Sequence, residues 1–285
     1  MRDEKSTLRR GLPGTRSVSR TVQVLKTVTA RKDIGWRLTD LASHCSLDNA
    51  TAYRILNCLT AEGMVQQREH DRRYVPGPLL FELALSLPAY STFQSAVHPD
   101  LVKIAKRLNG IAFLFLRSGQ ESVCIDRTGT SSVNPLTEIG TRHLMAESTA
   151  GIAMLLALPK KEQQTLIGAT RDHGHRATSH RRASYVKILR RSRRYGYGIN
   201  QGDLVPGLPT VAVPIMDPKG TPFAALALMG PASLFAGKRL EAIVKHLKEE
   251  ADRISQEQAH LIVSFKRHTM APDQAAAKAG PPGRK

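Results

Sequence analysis

Val18, Val22, Leu25 and Val28 recur at three- to four-residue spacing, which predicts an amphipathic helix from Ser17 onward. Ala30 to Gly35 reads as a turn with Trp36 just beyond it. Leu38 to Cys45 predicts a short second helix, with Thr39 placed to cap its start and Leu41 and Ala42 facing inward. Ser46-Leu47-Asp48 breaks that helix, and Asp48 is a good N-cap for a third helix over Asn49–Glu62. Its inward positions are Ala52, Ile55, Leu56 and Leu59, and Gly63 stands where a C-cap stops it. Met64–Arg68 and Arg73–Val75 then read as a hairpin with Val65 and Val75 inside and a polar tip at Glu69–Arg72.

After Pro76-Gly77-Pro78 the pattern becomes more apolar. Leu79, Leu80, Leu83, Ala84 and Leu87 form one helical face, stopped by Pro88. Such a face needs a partner, either a symmetry mate or a second domain. Pro99-Asp100-Leu101 is expected to open a helix with Leu101, Ile104, Ala105 and Leu108 on one side. Ile111–Leu116 and Ser122–Asp126 read as paired strands around Gly119-Gln120, and Glu147–Leu158 as a helix ended by Pro159. A helix is expected around Ala183–Arg194. Strands are expected at Val211–Ile215 and Phe223–Leu228, joined by the turn Asp217-Pro218-Lys219-Gly220. Leu240, Ile243, Val244, Leu247, Ala251 and Ile254 mark a last helix. The fold class is α+β. The expected divisions are a flexible basic arm over 1–15, a helical and hairpin domain over 16–77, a linker helix over 78–97, a larger domain over 98–260 and a flexible tail over 261–285.

Composition narrows what these elements do. The 285 residues hold 42 Lys and Arg against 24 acids, a formal charge of +18, which favours nucleic acid or an anionic membrane as partner. Aromatics are only 5%, so the core is aliphatic. Three cysteines, Cys45, Cys58 and Cys124, make neither a disulfide framework nor a Cys-x-x-Cys metal site, and Cys45 and Cys58 read as small core residues. The opening MRDEKSTLRRGLPG lacks the apolar core of a signal peptide, and no apolar run is long enough to span a bilayer. The expectation is a cytoplasmic protein with no membrane partner.

A short helix, a tight turn and a longer helix make a helix-turn-helix, and the hairpin after them a wing. Early exposed positions of the second helix meet base edges: here Asn49, Ala50, Thr51, Tyr53 and Arg54. Asn suits adenine, Arg suits guanine, a Thr methyl suits thymine, and Tyr53 suits phosphate. Arg68, Arg72 and Arg73 of the hairpin are candidates for backbone phosphate. The same apolar stripes also fit a generic three-helix bundle. Residues 1–76 hold 14 Lys and Arg against 8 acids, a modest +6 that suits a dimer pooling two half-sites. In the larger domain, Asp172, His173, His175 and His180 resemble metal ligands. They sit within 171–194, where nine Lys and Arg face one acid, and such charge repels a cation. A solvated basic face or an extra phosphate contact fits that segment better; no metal and no cofactor are expected. Asp203 lies in a glycine-bounded loop, as a turn residue or as a ligand contact. Cys124, Asp126, Arg142 and Thr210 are further pocket candidates. No nucleophile elbow, P-loop or dinucleotide loop occurs. The rival readings are a non-specific nucleic-acid scaffold and an enzyme with an accessory helix-turn-helix.

Ser17–Leu25, Thr51–Gly63 and Tyr74–Gly77, followed by Gly196-Tyr197-Gly198, Pro206-Gly207 and Ala212–Asp217, together resemble the IclR family of bacterial transcriptional regulators over residues 17–257. The resemblance implies a winged helix-turn-helix, a linker helix and a GAF-like effector domain. It also implies palindromic promoter DNA, a homodimer or homotetramer, a small organic or aromatic acid as effector, and no catalysis. On that basis Arg16, Ser17, Ser19, Arg20 and Thr39 join the expected DNA contacts. The effector pocket would draw on Arg142, Met145 and Ser148 and on the loop from Asp203 to Thr210. The chain departs from the family pattern at Leu144-Met145, at Ser148–Ile152, at Asp203 in place of Glu and at Thr210 in place of Cys.

Overall fold

A computed structural model describes residues 15–31, 34–129, 137–172 and 179–269. The described residues fall into two compact units, one ending at Leu87 and the other opening at Pro88. Residues 1–14 of the expected arm and 270–285 of the expected tail lie outside the described residues.

The first unit contains α1 (Arg16–Thr29), α2 (Leu38–Cys45), α3 (Asn49–Ala61), β1 (Val65–Gln67), β2 (Tyr74–Pro76) and α4 (Leu79–Ala84). Its core is Val24, Val28, Trp36, Leu41, Leu56, Leu59 and Val65. The expected stripe of α1 holds only in its second half: Val28 is buried, whereas Val18 and Val22 are exposed. Only the last turns of α1 meet the core, through Val24, Thr27 and Val28. Thr39 does not cap α2. It already stands inside the first turn, and the capping position is Arg37, without a side-chain bond. Asp48 does cap α3. Gly63, at φ +70°, ends the α3 segment by letting the Met64 amide turn back to the Leu59 carbonyl at 2.9 Å. β1 and β2 are antiparallel, with Gln66 opposite Val75. Trp36 adds a bridge to Tyr74, so the wing gains a third short edge. At Gly77 a Cβ would lie 2.1 Å from the Gly63 carbonyl oxygen, so only glycine lets the wing leave past the end of α3. Cys58, expected in the core, is exposed on α3.

The second unit runs α5 (Pro88–Leu108), β3 (Ile111–Ser118), β4 (Glu121–Thr128), β5 (Arg142–Leu144), α6 (Thr149–Leu156), α7 (Lys160–Asp172), α8 (Ser179–Tyr195), β6 (Gly198–Asn200), β7 (Thr210–Met216), β8 (Pro222–Met229), α9 (Lys238–Glu257) and α10 (Ala259–Thr269). The helix expected to open at Pro99 begins at Pro88 instead and carries Pro99 inside it. Proline suits a first helical turn, and the fully buried Phe93 and Val97 extend the apolar face N-terminally. Part of the stretch expected to be a flexible tail from 261 is α10, anchored by the fully buried Ile262.

The strands form one antiparallel sheet in the order β5-β4-β3-β8-β7-β6. Successive side chains of β3 point to opposite faces. Ala112, Leu114 and Leu116 join a core with residues of α5 and α9. Ile111, Phe113 and Phe115 join a second core with Met154 and Leu155 of α6. Helices thus cover both faces of the sheet, which is why its central strands are apolar runs rather than alternating ones.

Candidate nucleic-acid interface and ligand pocket

The reading helix begins with a fixed cap. The Asp48 carboxylate accepts the Thr51 amide at 2.7 Å and the Thr51 hydroxyl at 2.8 Å. These two bonds, the amide first, hold the Asp48 carboxyl below the usual carboxylate range. Thr51 is thereby half-buried with its oxygen engaged, while Asn49, Ala50, Tyr53, Arg54 and Asn57 stand exposed. Positions 49/50, 53/54 and 57 repeat every four residues, so they share one face of α3 opposite Ala52, Leu56 and Leu59. Burial, and after it the nearby Tyr53, raise the pKa of the Tyr74 phenol on β2 of the wing. Asn57 was not expected; its place one turn beyond Tyr53 is the signal that finds it.

The wing arginines divide in two. Arg68 grips Asp71 with Nε at 3.2 Å and Nη2 at 2.8 Å, and Arg73 Nε lies 3.5 Å from the same carboxylate. Burial pushes Asp71 up, but the Arg73 amide and the Arg68 charge outweigh it and hold the carboxyl below its ordinary value. Arg68 and Arg73 also donate to the Ile34 carbonyl. Arg72 is exposed at the tip and forms no ion pair among the described residues. It adopts φ +57°, a left-handed conformation that costs an L residue about 1–2 kcal/mol. Its backbone is held there by its amide on the Arg68 carbonyl at 3.0 Å and by Gln67 Nε2 on its own carbonyl at 2.8 Å. Arg16, Ser17, Ser19 and Arg20 are exposed on the first turns of α1, and Thr39 is exposed on α2.

The ligand candidates do not converge as a set. Cys124, Met145 and Ser148 lie on the α6 side of the sheet, and strand alternation places Thr210 there with Ala212. Burial pushes the Cys124 thiol up to about 12, which keeps it protonated at neutral pH. The Ser148 hydroxyl caps α6 by accepting the Gly151 amide at 2.8 Å and pairs with the Ser122 hydroxyl at 2.8 Å. Asp126 faces the other way: His98 Nδ1 of α5 lies 2.8 Å from its carboxylate. Arg142, on the edge strand β5, is occupied by Glu121 at 2.8 Å and the Ser118 hydroxyl at 2.9 Å. The Asp203 side chain is almost fully buried and bound by Arg191 and by Lys187 of α8, the latter at 2.9 Å. Burial alone would raise its pKa, but the Arg191 and Lys187 bonds win and lower it to about 2.

Three features escaped sequence reasoning. Ser122 is fully buried beside Ser148. His143 on β5 is pushed down to about 4, first by burial and then by the nearby Arg181 charge. A cleft of about 720 Å³ opens beside α9, lined among others by Tyr195, Tyr197, Leu240, Val244 and Lys248. The metal candidates Asp172 to His175 and His180 have no described side chains. Among the described residues no group of His, Cys, Asp or Glu is arranged to hold a metal ion, and no helix is long and apolar enough to cross a membrane.

Two family models account for both units: the IclR helix-turn-helix domain matches residues 17–69, and the bacterial transcriptional regulator IclR C-terminal matches residues 92–256. The chain belongs to the IclR family. As an IclR-family protein it is a DNA-binding transcriptional regulator and not an enzyme. The acetate operon repressor of Salmonella typhimurium is 26% identical over 220 residues, spanning 74% of this chain and 80% of that protein. An IclR regulator structure from Alicyclobacillus acidocaldarius superposes with a TM-score of 0.62 at 24% identity, covering 84% of this chain and 97% of that one. An IclR homolog from Microbacterium hydrocarbonoxydans, complexed with 4-hydroxybenzoate, gives a TM-score of 0.60 at 22% identity over 84% of this chain and 98% of that one. These two likenesses establish the IclR fold: helix-turn-helix, linker and mixed α/β effector domain.

Proposed function

We propose that this IclR-family chain is a cytoplasmic homo-oligomer that reads palindromic promoter DNA through α3 and is switched by a small organic or aromatic acid held in the unit from Pro88. The observation that carries the reading is the exposed row Asn49, Ala50, Tyr53, Arg54 on a helix whose start is fixed by Asp48. Asn49 is assigned to adenine and Arg54 to guanine, each bidentate. Tyr53, Arg72 and the α1 residues Arg16, Ser17, Ser19 and Arg20 are assigned to phosphates. Arg68 and Arg73 hold the wing in shape. The pocket is assigned to the α6 side of the sheet, bounded by Cys124, Met145, Ser148 and Thr210. The 4-hydroxybenzoate bound by the Microbacterium hydrocarbonoxydans homolog supports an aromatic acid as the effector class. Exposed Phe81, Leu83, Leu85 and Leu87 around α4, together with Val18 and Val22, support burial against a second copy.

The test is selection of bound duplexes from a random library by the full chain, repeated with a panel of small acids that includes 4-hydroxybenzoate. The expected product is an inverted repeat whose half-sites lie about one helical turn, roughly 34 Å, apart. Its affinity should change with at least one acid. Recovery of no enriched motif would replace this reading with a non-specific scaffold.

A further inference from the structure

Helix α8 is the most basic element of the second unit, SHRRASYVKILRRSRRY, without a single acid. It is also firmly seated. Ile188 and Ser192 are fully buried, the Ser192 hydroxyl accepts the Ile199 amide at 2.9 Å, and Arg191 is locked to Asp203. At about 100° per residue, Arg182, Arg190, Arg193 and Arg194 then fall within an arc of roughly 120° on the side away from Ile188 and Ser192. All four are exposed and form no ion pair among the described residues. Lys187 borders the arc and is tied to Asp203.

An ordinary solvated helix face mixes signs, and α9 of the same unit does so. Arg253 is met by Glu250 and Glu257 at 2.6 and 2.7 Å, and Lys245 by Glu249 at 3.9 Å. On α8 the Arg190–Arg193 and Arg190–Arg194 pairs stack like charges at i,i+3 and i,i+4, each costing about 0.2–0.5 kcal/mol with no acid to offset it. A polyanion removes that repulsion.

We propose that the exposed arc of α8 is a second DNA contact, binding the phosphate backbone of duplex DNA independently of sequence. From Arg182 to Arg194 the arc runs about 18 Å at 1.5 Å per residue, about half a turn of duplex. Duplex fits better than a single strand, because single-strand surfaces interleave aromatics for base stacking and the arc carries only Ala183 and Val186 between its arginines. An acidic protein segment would want several apolar anchors, and the arc offers only Val186 beside the small Ala183. The proposal rests on DNA being the partner of the chain as a whole.

The experiment measures binding of the full chain to a random-sequence duplex of about 60 base pairs, roughly six helical turns, across a salt series. Each lost phosphate contact lowers the slope of log Kobs against log salt by about 0.9, so R182Q/R190Q/R193Q/R194Q should lower it by about 3 to 4 for each copy of the arc on the duplex. The corresponding quadruple lysine variant should keep the parent slope. Should the quadruple glutamine variant unfold, R182Q/R194Q reads the same effect at about half the size. A parent-like slope in folded glutamine variants overturns the proposal. So does a slope change confined to single-stranded polyuridylate, which would make α8 an RNA surface. Absence of duplex binding by the parent chain would instead overturn the DNA-binding reading itself.

Discussion

The α3 face and the α6 side of the sheet are both candidate sites, and they are built in opposite ways. On α3 the side chains assigned to recognition project into solvent, and the fold supplies only the rigid axis that carries them. Around the sheet the candidate residues are already consumed by the fold: Ser148 caps a helix, Arg142 pairs with Glu121, and Asp203 pairs with α8. A surface that meets a large, regular partner can keep its contacts free, because water satisfies them until the partner arrives. An interior that holds a small ligand must satisfy its polar groups in the meantime, since unpaired buried groups cost about 1–3 kcal/mol each.

The sharpest way to break the contrast is at Met145, fully buried on the α6 side. Met145→Ala should cost about 2–5 kcal/mol in denaturant unfolding if the residue is packed core. A cost below about 1 kcal/mol would mean that it lines open space, and the pocket would then be preformed. Next in size is Arg54→Ala, which should lose about 1–3 kcal/mol of discrimination between matched and scrambled operators while the melting temperature stays put. Equal discrimination by mutant and parent would remove Arg54 from base reading. Asp203 gives a pH signature. Its folded pKa, about 2, lies below the ordinary 3.8, so its contribution is fully present above about pH 4 and fades as pH falls toward 2. Asp203→Asn should flatten that part of an acid unfolding curve and leave the discrimination between matched and scrambled operators at neutral pH intact. Smallest is Arg72→Gly. It should lower the salt slope by about 0.9 for each protomer on the DNA, the value for one phosphate, with no loss of stability, because glycine accepts φ +57° freely.

The helix-turn-helix was legible because its signals are local. Asp48 before Asn49 and Gly63 after α3 mark a helix by capping chemistry that needs no tertiary partner. Periodicity in α1 was less informative, since it ranks faces but does not say which turns meet the core; Val18 and Val22 obey the period and remain exposed. The ligand residues were harder for a definite reason. Cys124 and Asp126 are two apart on one strand, which predicts a shared face. A bulge between the pairs Leu114–Asp126 and Phe115–Cys124 inserts Ile125 and sends the two side chains to opposite faces. Nothing in the spacing announces that extra residue. The three-residue edge strands β5 and β6 were equally unreadable, because their pairing comes from the sheet rather than from their own pattern.

Trp36 is the single tryptophan of the chain, and it lies in the core of the first unit. Its indole donates to the Thr27 carbonyl at 2.8 Å, and the Arg31 guanidinium stands 4.0 Å over its ring. Intrinsic fluorescence excited at the indole band therefore reports on the helix-turn-helix alone, whereas far-ultraviolet dichroism sums both units. The protein thus carries its own spectroscopic label for the DNA-reading end. Any acid that changes Trp36 emission acts on the first unit, directly or by way of the second. Divergence of the fluorescence and dichroism unfolding curves would measure how far the two units unfold apart.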